Sequence, residues 1–565
     1  MLRRNAADPA IRDRLAIKFG ERAWTHAEYF AESCRFAQLF AARRRPEPAP
    51  FHVAVLLDNT PDYLFAFGGA ALVGATVVGL NHTRPPDGLL HDASHTDVGL
   101  LVAEPRHVDK LGPIVERLGL GTDELLITRR FVDADDPAVT PAAADLDDAL
   151  SGVPDADPGI EPDLDARWAL IFTSGTSDAP KAVICSQRRL MVTGNRLSMI
   201  LGVGPDDCGY VCMPLFHSNA VMVGWAPSII HGAAVGLARK FSVSQFLPDI
   251  RRYGATWFGY TGKPLSYLVA SPANPDDADN PLRIAFGNEG SPEVVEAFSV
   301  RFGVEVIDAY GATEGGIAVN RDVAPRPGAL GLATENVKVV DEEGRELPRA
   351  RFDANGRLVN ADECVGEIVN VAGAGPFEGY YNNAEASERT TKKGWYWSGD
   401  LGYVDDDGYL YFAGRNAEWL RVGGENFPAG PIEAVISRYP GAVVAAVYGV
   451  PDDQAGDQVM AALVMRDDAP FDPAAFAEWI DAQDEVSTRY RPRYVRVART
   501  LPMTGTNKVV KRELVHDKFR LDRVGDDTVW VRGKDDAVYR EFTHLDERGL
   551  RDAFERAGRL SFWDL

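Results

Sequence analysis

Trp168-Ala169-Leu170-Ile171-Phe172, followed at once by Thr173-Ser174-Gly175-Thr176-Ser177-Asp178-Ala179-Pro180-Lys181, decides how the rest of this chain is read. Five apolar residues with the length of a buried strand run into a turn dense in hydroxyls, with one glycine and a closing lysine. Such a turn offers hydroxyl and backbone N–H donors to polyphosphate oxygens, and the lysine adds a cation. An ordinary polar turn is the alternative at this point. A Walker loop is excluded: it needs Gly-Lys followed by Ser or Thr, and Pro180-Lys181-Ala182 stands here instead.

Outward from this turn, short apolar runs at 53–57, 282–286 and 304–307 alternate with helical patterns, which predicts an α/β architecture. The uncharged stretch 63–80 has the length of a membrane span, but it holds Gly68, Gly69, Gly74 and Gly79. It is read as a buried helix to about Leu72, a turn at Gly74 and a buried strand over 75–80. A second apolar stretch, 221–238, is interrupted by Pro227 and His231, so no membrane span is expected. Polar segments at 43–50, 133–165 and 271–281 read as surface loops, the longest as an insertion inside one large domain. Beyond Arg415 a compact set follows, with strand-like 442–449 and 458–465, a helical pattern over 473–482 and a strand near 494–497. The fold class expected is therefore α/β, with a large N-terminal domain at 1–415 and a smaller α+β domain at 416–565. The segment 515–565 is charged with scattered aromatics, and its acidic pairs read as a solvated face rather than a site.

Composition sets the outer bounds. The 565 residues are 45% hydrophobic and 25% charged, ordinary for globular proteins and enough for a large core. Sixty Lys and Arg against 83 Asp and Glu give a net charge of -23, which repels phosphate backbones, so no nucleic-acid partner is expected. The five cysteines, Cys34, Cys185, Cys208, Cys212 and Cys364, form no CxxC pair, and a reduced, cytoplasmic setting fits them. No apolar signal core follows Met1-Leu2-Arg3-Arg4-Asn5, so secretion by a cleaved signal is not expected.

Two further segments point to phosphate chemistry. Tyr310-Gly311-Ala312-Thr313-Glu314-Gly315-Gly316 follows the run 304–307, so a hydroxyl and a carboxylate leave the sheet edge together, where open α/β sheets bind ligands. Glu314 could hold a hard cation such as Mg2+, phosphate oxygens supplying other ligands; a glycine-rich turn capped by Thr313 is the plainer reading. Ser398-Gly399-Asp400-Leu401-Gly402-Tyr403 precedes a hairpin turning at Asp406-Asp407-Gly408 and ending at Gly414-Arg415. Asp-Gly hairpins explain the turn but not Asp400.

In this order the motifs resemble the adenylate-forming superfamily of acyl-CoA synthetases, adenylation domains and firefly-type luciferases, across nearly the whole chain from Asn59 to Lys508. Phe286-Gly287-Asn288, Arg301-Phe302-Gly303 and the 310–315 segment look most like the fatty-acid-transport or very-long-chain subgroup, with its ligases for fatty and steroid side-chain acids. The resemblance implies that Thr173, Ser174, Gly175, Thr176, Ser177 and Lys181 belong to a phosphate loop. It further implies that Gly287, Asn288, Tyr310 and Gly311 border the nucleotide, that Thr313 meets the α-phosphate and that Glu314 holds Mg2+. Asp400 would accept from the ribose hydroxyls with Arg415 beside it. Lys508, in Pro502-Met503-Thr504-Gly505-Thr506-Asn507-Lys508, matches the lysine that bridges the substrate carboxylate and α-phosphate, where an ammonium stabilises redistributed negative charge. Gly423 and Gly424 match the glycines of the pantetheine channel, where a missing side chain admits a narrow ligand; a β-turn is the plainer reading. His217 in Pro214-Leu215-Phe216-His217, Trp257 and Tyr260 in Trp257-Phe258-Gly259-Tyr260, and Gly315 resemble substrate-lining positions.

The implied function is an ATP-dependent ligase that converts a fatty or steroid side-chain acid to its acyl-CoA through an acyl-adenylate, with ATP, Mg2+ and coenzyme A as its small-molecule partners. Carrier-protein loading, adenylate oxidation and a non-catalytic nucleotide- or acyl-binding role stay open, as does a homodimer. The smaller domain would be mobile about 416–417. The chain departs from the family pattern at Ser177-Asp178 (usually Thr-Gly), at Ala182 and Asn507 (usually glycine), and at Ala417 (often Asp or Lys).

Overall fold

The computed structural model describes all residues except 133–135, 137–142, 162, 174–179, 321–325, 327–328, 355–357, 416–418, 423–424, 454–455, 506, 534–535 and 565. Two large sheets carry the N-terminal part. The first runs Ala144–Asp145, Leu125–Ile127, Leu100–Ala103, His52–Leu56, Thr76–Gly79, Arg167–Phe172 and Ala182–Ser186, parallel except at its last strand. The second runs Ala318–Asn320, Glu305–Gly311, Ile284–Asn288, Trp257–Thr261, Cys208–Val211, Ala234–Leu237, Leu15–Phe19 and Arg22–Thr25. It is antiparallel only at the two edge pairs. A five-stranded antiparallel sheet over 329–415 follows.

The buried run 63–80 shows why sequence hydropathy alone can suggest a membrane here. Helix Pro61–Val73 ends at Gly74 in the left-handed conformation (φ 71°), and strand Thr76–Gly79 follows, with all but the exposed Gly74 and half-buried Ala71 inside the core. This helix lies against His26–Ala42, whose start is fixed by a capping box between Thr25 and Glu28. A Cβ on Gly69 would stand 2.7 Å from the Phe36 Cβ and 2.8 Å from the Ala37 nitrogen, so glycine is what lets the two backbones approach. Among the described residues, no helix is long and apolar enough to cross a membrane.

One expectation changes and one segment gains a core. The 133–165 segment is not wholly irregular: Ala144–Asp145 adds an edge strand and Leu146–Ser151 a helix, with the Asp145 carboxylate accepting from the backbone of Asp147 and Asp148. Strands before and after it, Leu125–Ile127 and Arg167–Phe172, share one sheet, so it is an excursion within one unit. The aromatics scattered through the charged segment 515–565, which the sequence left unplaced, form a core. Strand Thr528–Val531 extends the C-terminal sheet, helix His544–Arg556 follows, and Phe519, Phe542, Phe554 and Trp563 are buried together. Widely spaced aromatics among charges have no period in sequence; only the turns between these elements bring them together.

The C-terminal sheet runs Ala442–Pro451, Asp457–Met465, Tyr494–Ala498, Thr528–Val531 and Arg540–Glu541, with helix Pro473–Asp481 on one side. The expected boundary between 415 and 416 falls where strand Tyr409–Arg415 ends, and 416–418 lie outside the described residues. The C-terminal part rests on the N-terminal part. Tyr267 of helix Pro264–Ala270 packs on the cluster that holds Val444 and Tyr448, and the Lys508 turn reaches across to Phe216.

Candidate active site

A continuous cleft of about 2220 Å3 opens between the sheets and the C-terminal part. Thr173, Lys181, His217, Gly287, Asn288, Tyr310, Gly311, Thr313, Glu314, Gly315, Asp400 and Lys508 all line it. Residues more than 300 positions apart thus face one space.

The phosphate-loop candidate closes an antiparallel pair, Arg167–Phe172 and Ala182–Ser186. At its base the Thr173 N–H donates to the Lys181 carbonyl at 3.0 Å, and the Lys181 N–H to the Thr173 hydroxyl at 3.4 Å. Ser174, Gly175, Thr176 and Ser177 lie outside the described residues. The Lys181 ammonium sits over the Tyr380 ring, 5.3 Å from its centroid.

The Thr313 hydroxyl meets that of Ser218 at 2.9 Å, and its carbonyl accepts from the buried Arg189 guanidinium, which also donates to the Ile184 carbonyl at 2.8 Å. Glu314 accepts a 2.7 Å hydrogen bond from the Tyr380 hydroxyl at Oε1. A carboxylate on the cleft wall, oriented through one oxygen, fits a hard, oxygen-seeking cation such as Mg2+.

On the wall expected to border the nucleotide, strand Ile284–Asn288 lies between Trp257–Thr261 and Glu305–Gly311. A Cβ on Gly287 would stand 2.2 Å from the Tyr260 carbonyl oxygen. The Asn288 amide oxygen is buried on the cleft wall with no hydrogen-bond partner among the described residues, an acceptor suited to an exocyclic amine. Tyr310 donates to Asp400 Oδ2 at 2.7 Å, and burial followed by the Asp400 charge holds the phenol well above its ordinary pKa, so it stays a donor. Asp400 pairs with Arg415 in the ladder of strands Tyr396–Val404 and Tyr409–Arg415; the Arg415 side chain is not among those described.

Lys508 ends a tight turn in which the Asn507 N–H donates to the Thr504 carbonyl at 2.9 Å and the Thr504 N–H to the Lys508 carbonyl at 2.7 Å. Asn507 takes φ 58°, which explains its place where the family usually has glycine: Asn tolerates the left-handed region better than other side chains. The ammonium crosses to Glu289 at 2.5 Å. Beside it, burial first and the Lys508 charge second push the His217 imidazole down to about 3, so it is neutral near pH 7.

Two expected tunnel residues are corrected. Trp257 and Tyr260 do not line the cleft. Both are fully buried, the Trp257 indole donating to the Val223 carbonyl at 3.0 Å and the Tyr260 hydroxyl to Asp308 at 2.7 Å. Alternate strand residues point to opposite faces, so 257–260 was never one wall. The apolar wall comes instead from helix Gln187–Leu201 and the π-helical turn Ala220–Trp225, through Leu197, Ile200, Met222 and Val223, with Val269 and Phe286. Gly423 and Gly424 lie outside the described residues.

The AMP-binding enzyme model matches residues 2–381, and the AMP-binding enzyme C-terminal domain model matches 431–508. This chain belongs to the AMP-binding enzyme family. It is 45% identical over 554 residues to the steroid-22-oyl-CoA synthetase of Rhodococcus jostii, covering 97% of this chain and 96% of that protein. It is 43% identical over 524 residues to the medium/long-chain-fatty-acid–CoA ligase FadD17 of Mycobacterium marinum, covering 91% and 97%. In fold, it matches the ATP-bound MatB structure from Rhodopseudomonas palustris (TM-score 0.75, 24% identity, 91% of this chain and 97% of that one). It likewise matches an anthranilate CoA ligase in complex with anthranoyl-AMP (TM-score 0.77, 21% identity, 91% and 95%).

Sequence reading of this AMP-binding enzyme missed Arg189, Ser218, Tyr380 and Glu289. None stands in a glycine-rich motif. Arg189, third residue after the Ser186 cap, could have been suspected only as a charge on an otherwise amphipathic helix.

Proposed function

We propose that this acyl-CoA ligase takes the side-chain carboxylate of a steroid as its preferred acid, with medium- and long-chain fatty acids as the competing class. The enzyme joins a carboxylic acid to coenzyme A in two steps driven by ATP. A carboxylate oxygen attacks the α-phosphorus of ATP, giving acyl-adenylate and pyrophosphate. The CoA thiol then adds to the acyl carbonyl, loses its proton, and displaces AMP.

The observation that carries the acid class is the continuity of the cleft. Thr313, Glu314 and Asp400 lie in the same space as an apolar wall of Leu197, Ile200, Met222, Val223 and Val269. About 2220 Å3 is well beyond the roughly 300–1,000 Å3 of an ordinary ligand pocket, leaving room for a bulky apolar acid beside the nucleotide. Each methylene buried on that wall contributes about 0.8 kcal/mol to binding.

In this reading Thr173 and Lys181 border the polyphosphate, Asn288 accepts from the adenine amine and Asp400 from the ribose hydroxyls. Tyr310 holds the Asp400 carboxylate in place through its hydrogen bond. Arg189 and Ser218 hold the Thr313 loop at the α-phosphate. Glu314 would hold Mg2+, which supplies charge neutralisation on the phosphates. Lys508 stabilises charge redistributed between the carboxylate and α-phosphate. His217, neutral, positions the acid without contributing a proton.

The test is a panel of carboxylates from acetate through fatty acids to steroid side-chain acids, scored by acid-dependent CoA consumption. Steroid acids are expected to give the highest kcat/KM. Acetate or a polar amino acid as the best substrate would overturn the reading.

A further inference from the structure

Away from the cleft wall, Asp58, His82 and His107 converge at the edge of the seven-stranded sheet. Each follows a different parallel strand at its carboxyl end: His52–Leu56, Thr76–Gly79 and Leu100–Ala103. In the sheet, His52–Leu56 lies between the other two. The chain therefore moves to one side after the first of these strands and to the other side after the second. That is a topological switch point, the place where open α/β sheets form a crevice at their carboxyl ends. The nucleotide chemistry described above uses other segments and leaves this crevice unassigned.

The geometry points to a binding site here for a divalent first-row transition-metal ion, ligated by Asp58 Oδ1, His82 Nε2 and His107 Nε2. The three ligand atoms lie within 4.8 Å of one another, and among the described residues this is the one such group of three His, Cys, Asp or Glu side chains. Asp58 Oδ1 is 3.1 Å from His107 Nε2 and 3.5 Å from His82 Nε2. Both separations suit ligands sharing one ion at about 2.0–2.2 Å. The two imidazoles are nearly parallel, 11° apart with centroids 4.9 Å apart, so their Nε2 atoms face the same oxygen. Two imidazole nitrogens with one carboxylate select zinc-like ions over Mg2+ or Ca2+, which take oxygen donors.

The other carboxylate oxygen is held from behind, as ligating carboxylates usually are. Asp58 Oδ2 meets Arg106 at 2.7 Å and Arg239 at 3.4 Å. Each of these cations has an acid of its own, Asp136 at 2.7 Å from Arg106 and Glu104 at 2.7 Å from Arg239, so Asp58 keeps its charge for the ion. The Asp58 N–H donates to Glu104 at 2.6 Å and fixes the backbone. Asp58 and His107 are buried, whereas His82 keeps 23% of its side chain exposed and gives the ion a way in. The metal-free alternative is a hydrogen-bonded triad in which His107 donates to Oδ1 and His82 stacks beside it.

The site would also brace the seat of the Lys508 turn. The His82 ring stands edge-on to Phe216 with centroids 5.4 Å apart, and a Cβ on Gly505 would be 3.0 Å from the Phe216 ring and 3.4 Å from the Asn81 amide oxygen.

Titration of Zn2+ into chelator-treated, full-length enzyme is expected to give one tight equivalent with a rise in Tm. Co2+ in its place should give a visible absorption band of imidazole-ligated cobalt. His82→Ala and His107→Ala should each weaken Zn2+ at least about 100-fold and abolish the Tm rise. His91→Ala, in the second stacked histidine pair, should change neither. If the buried His107 variant fails to fold, the His82 variant decides alone. No Zn2+ equivalent in the wild type, an equivalent that survives His82→Ala, or one lost only in His91→Ala would overturn the site and leave the hydrogen-bonded triad.

Discussion

The Lys508 ammonium lies 2.5 Å from the Glu289 carboxylate, a contact between segments 219 positions apart that joins the C-terminal turn to the end of strand Ile284–Asn288 on the cleft wall. Glu289 itself takes φ 69°, a left-handed conformation that turns the chain just after Asn288. The pair holds the lysine at the cleft before substrate enters, and both side chains remain partly exposed, 31% and 42%. Its own contribution is therefore small, about 0.2–1 kcal/mol.

Lys508→Ala should slow acid-dependent pyrophosphate release by roughly 100-fold or more, the scale for losing one preorganised charge-stabilising group. CoA transfer to supplied acyl-adenylate should persist. Glu289→Gln should cost the first step no more than about fivefold, because only the docking contact is lost. Equal loss of both half reactions in Lys508→Ala would sink the assignment of this lysine to adenylation.

Glu314→Gln keeps the Tyr380 hydrogen bond in shape and removes the charge. The Mg2+ concentration for half-maximal adenylation should rise by roughly tenfold, equivalent to about 1.4 kcal/mol. Superimposable Mg2+ titrations of the variant and wild type would rule out Glu314 as the cation's anchor.

Gly287→Ala places a methyl 2.2 Å from a backbone oxygen in the adjacent strand, which no rotamer change relieves. The strand must shift, at a cost of about 1–3 kcal/mol, and Asn288 moves with it. A lower Tm together with a raised KM for ATP is expected; a wild-type KM in a destabilised variant would show that Asn288 does not border the nucleotide.

His217 gives the pH dependence. Its folded pKa is depressed to about 3 against the ordinary 6.5, so the unfolded chain binds the extra proton first. The sign follows: the folded state loses stability as pH falls below 6.5 and goes on losing it toward 3, and above 6.5 the histidine makes no difference. At pH 5 the effect is roughly 1–2 kcal/mol. His217→Gln should therefore narrow the gap in stability between pH 7 and pH 5, measured by urea unfolding at both. An unchanged gap would mean that the imidazole is protonated in the folded enzyme.

Short-range patterns in the chain carried the α/β class and the strand preceding each glycine-rich turn, and the order of its motifs carried the family and singled out Thr313, Glu314, Asp400 and Lys508 as site candidates. A strand run followed by hydroxyls and glycine is legible within about ten residues, and so is the Asp-Gly hairpin after Asp400. Tertiary structure alone decided which side chains share the cleft. Trp257 and Tyr260 sit in an apolar strand and look like a tunnel wall, yet both are buried, Trp257 against the Ala220–Trp225 turn and Tyr260 against Asp308. Arg189, Ser218 and Tyr380 carry no local signal, and reach Thr313 and Glu314 from 124, 95 and 66 positions away. The aromatics of 515–565 likewise became a core only when a strand and a helix folded them onto one sheet. The physical reason is common to all of these: periodicity records which face a residue takes on its own element, whereas packing between elements sets what that face meets.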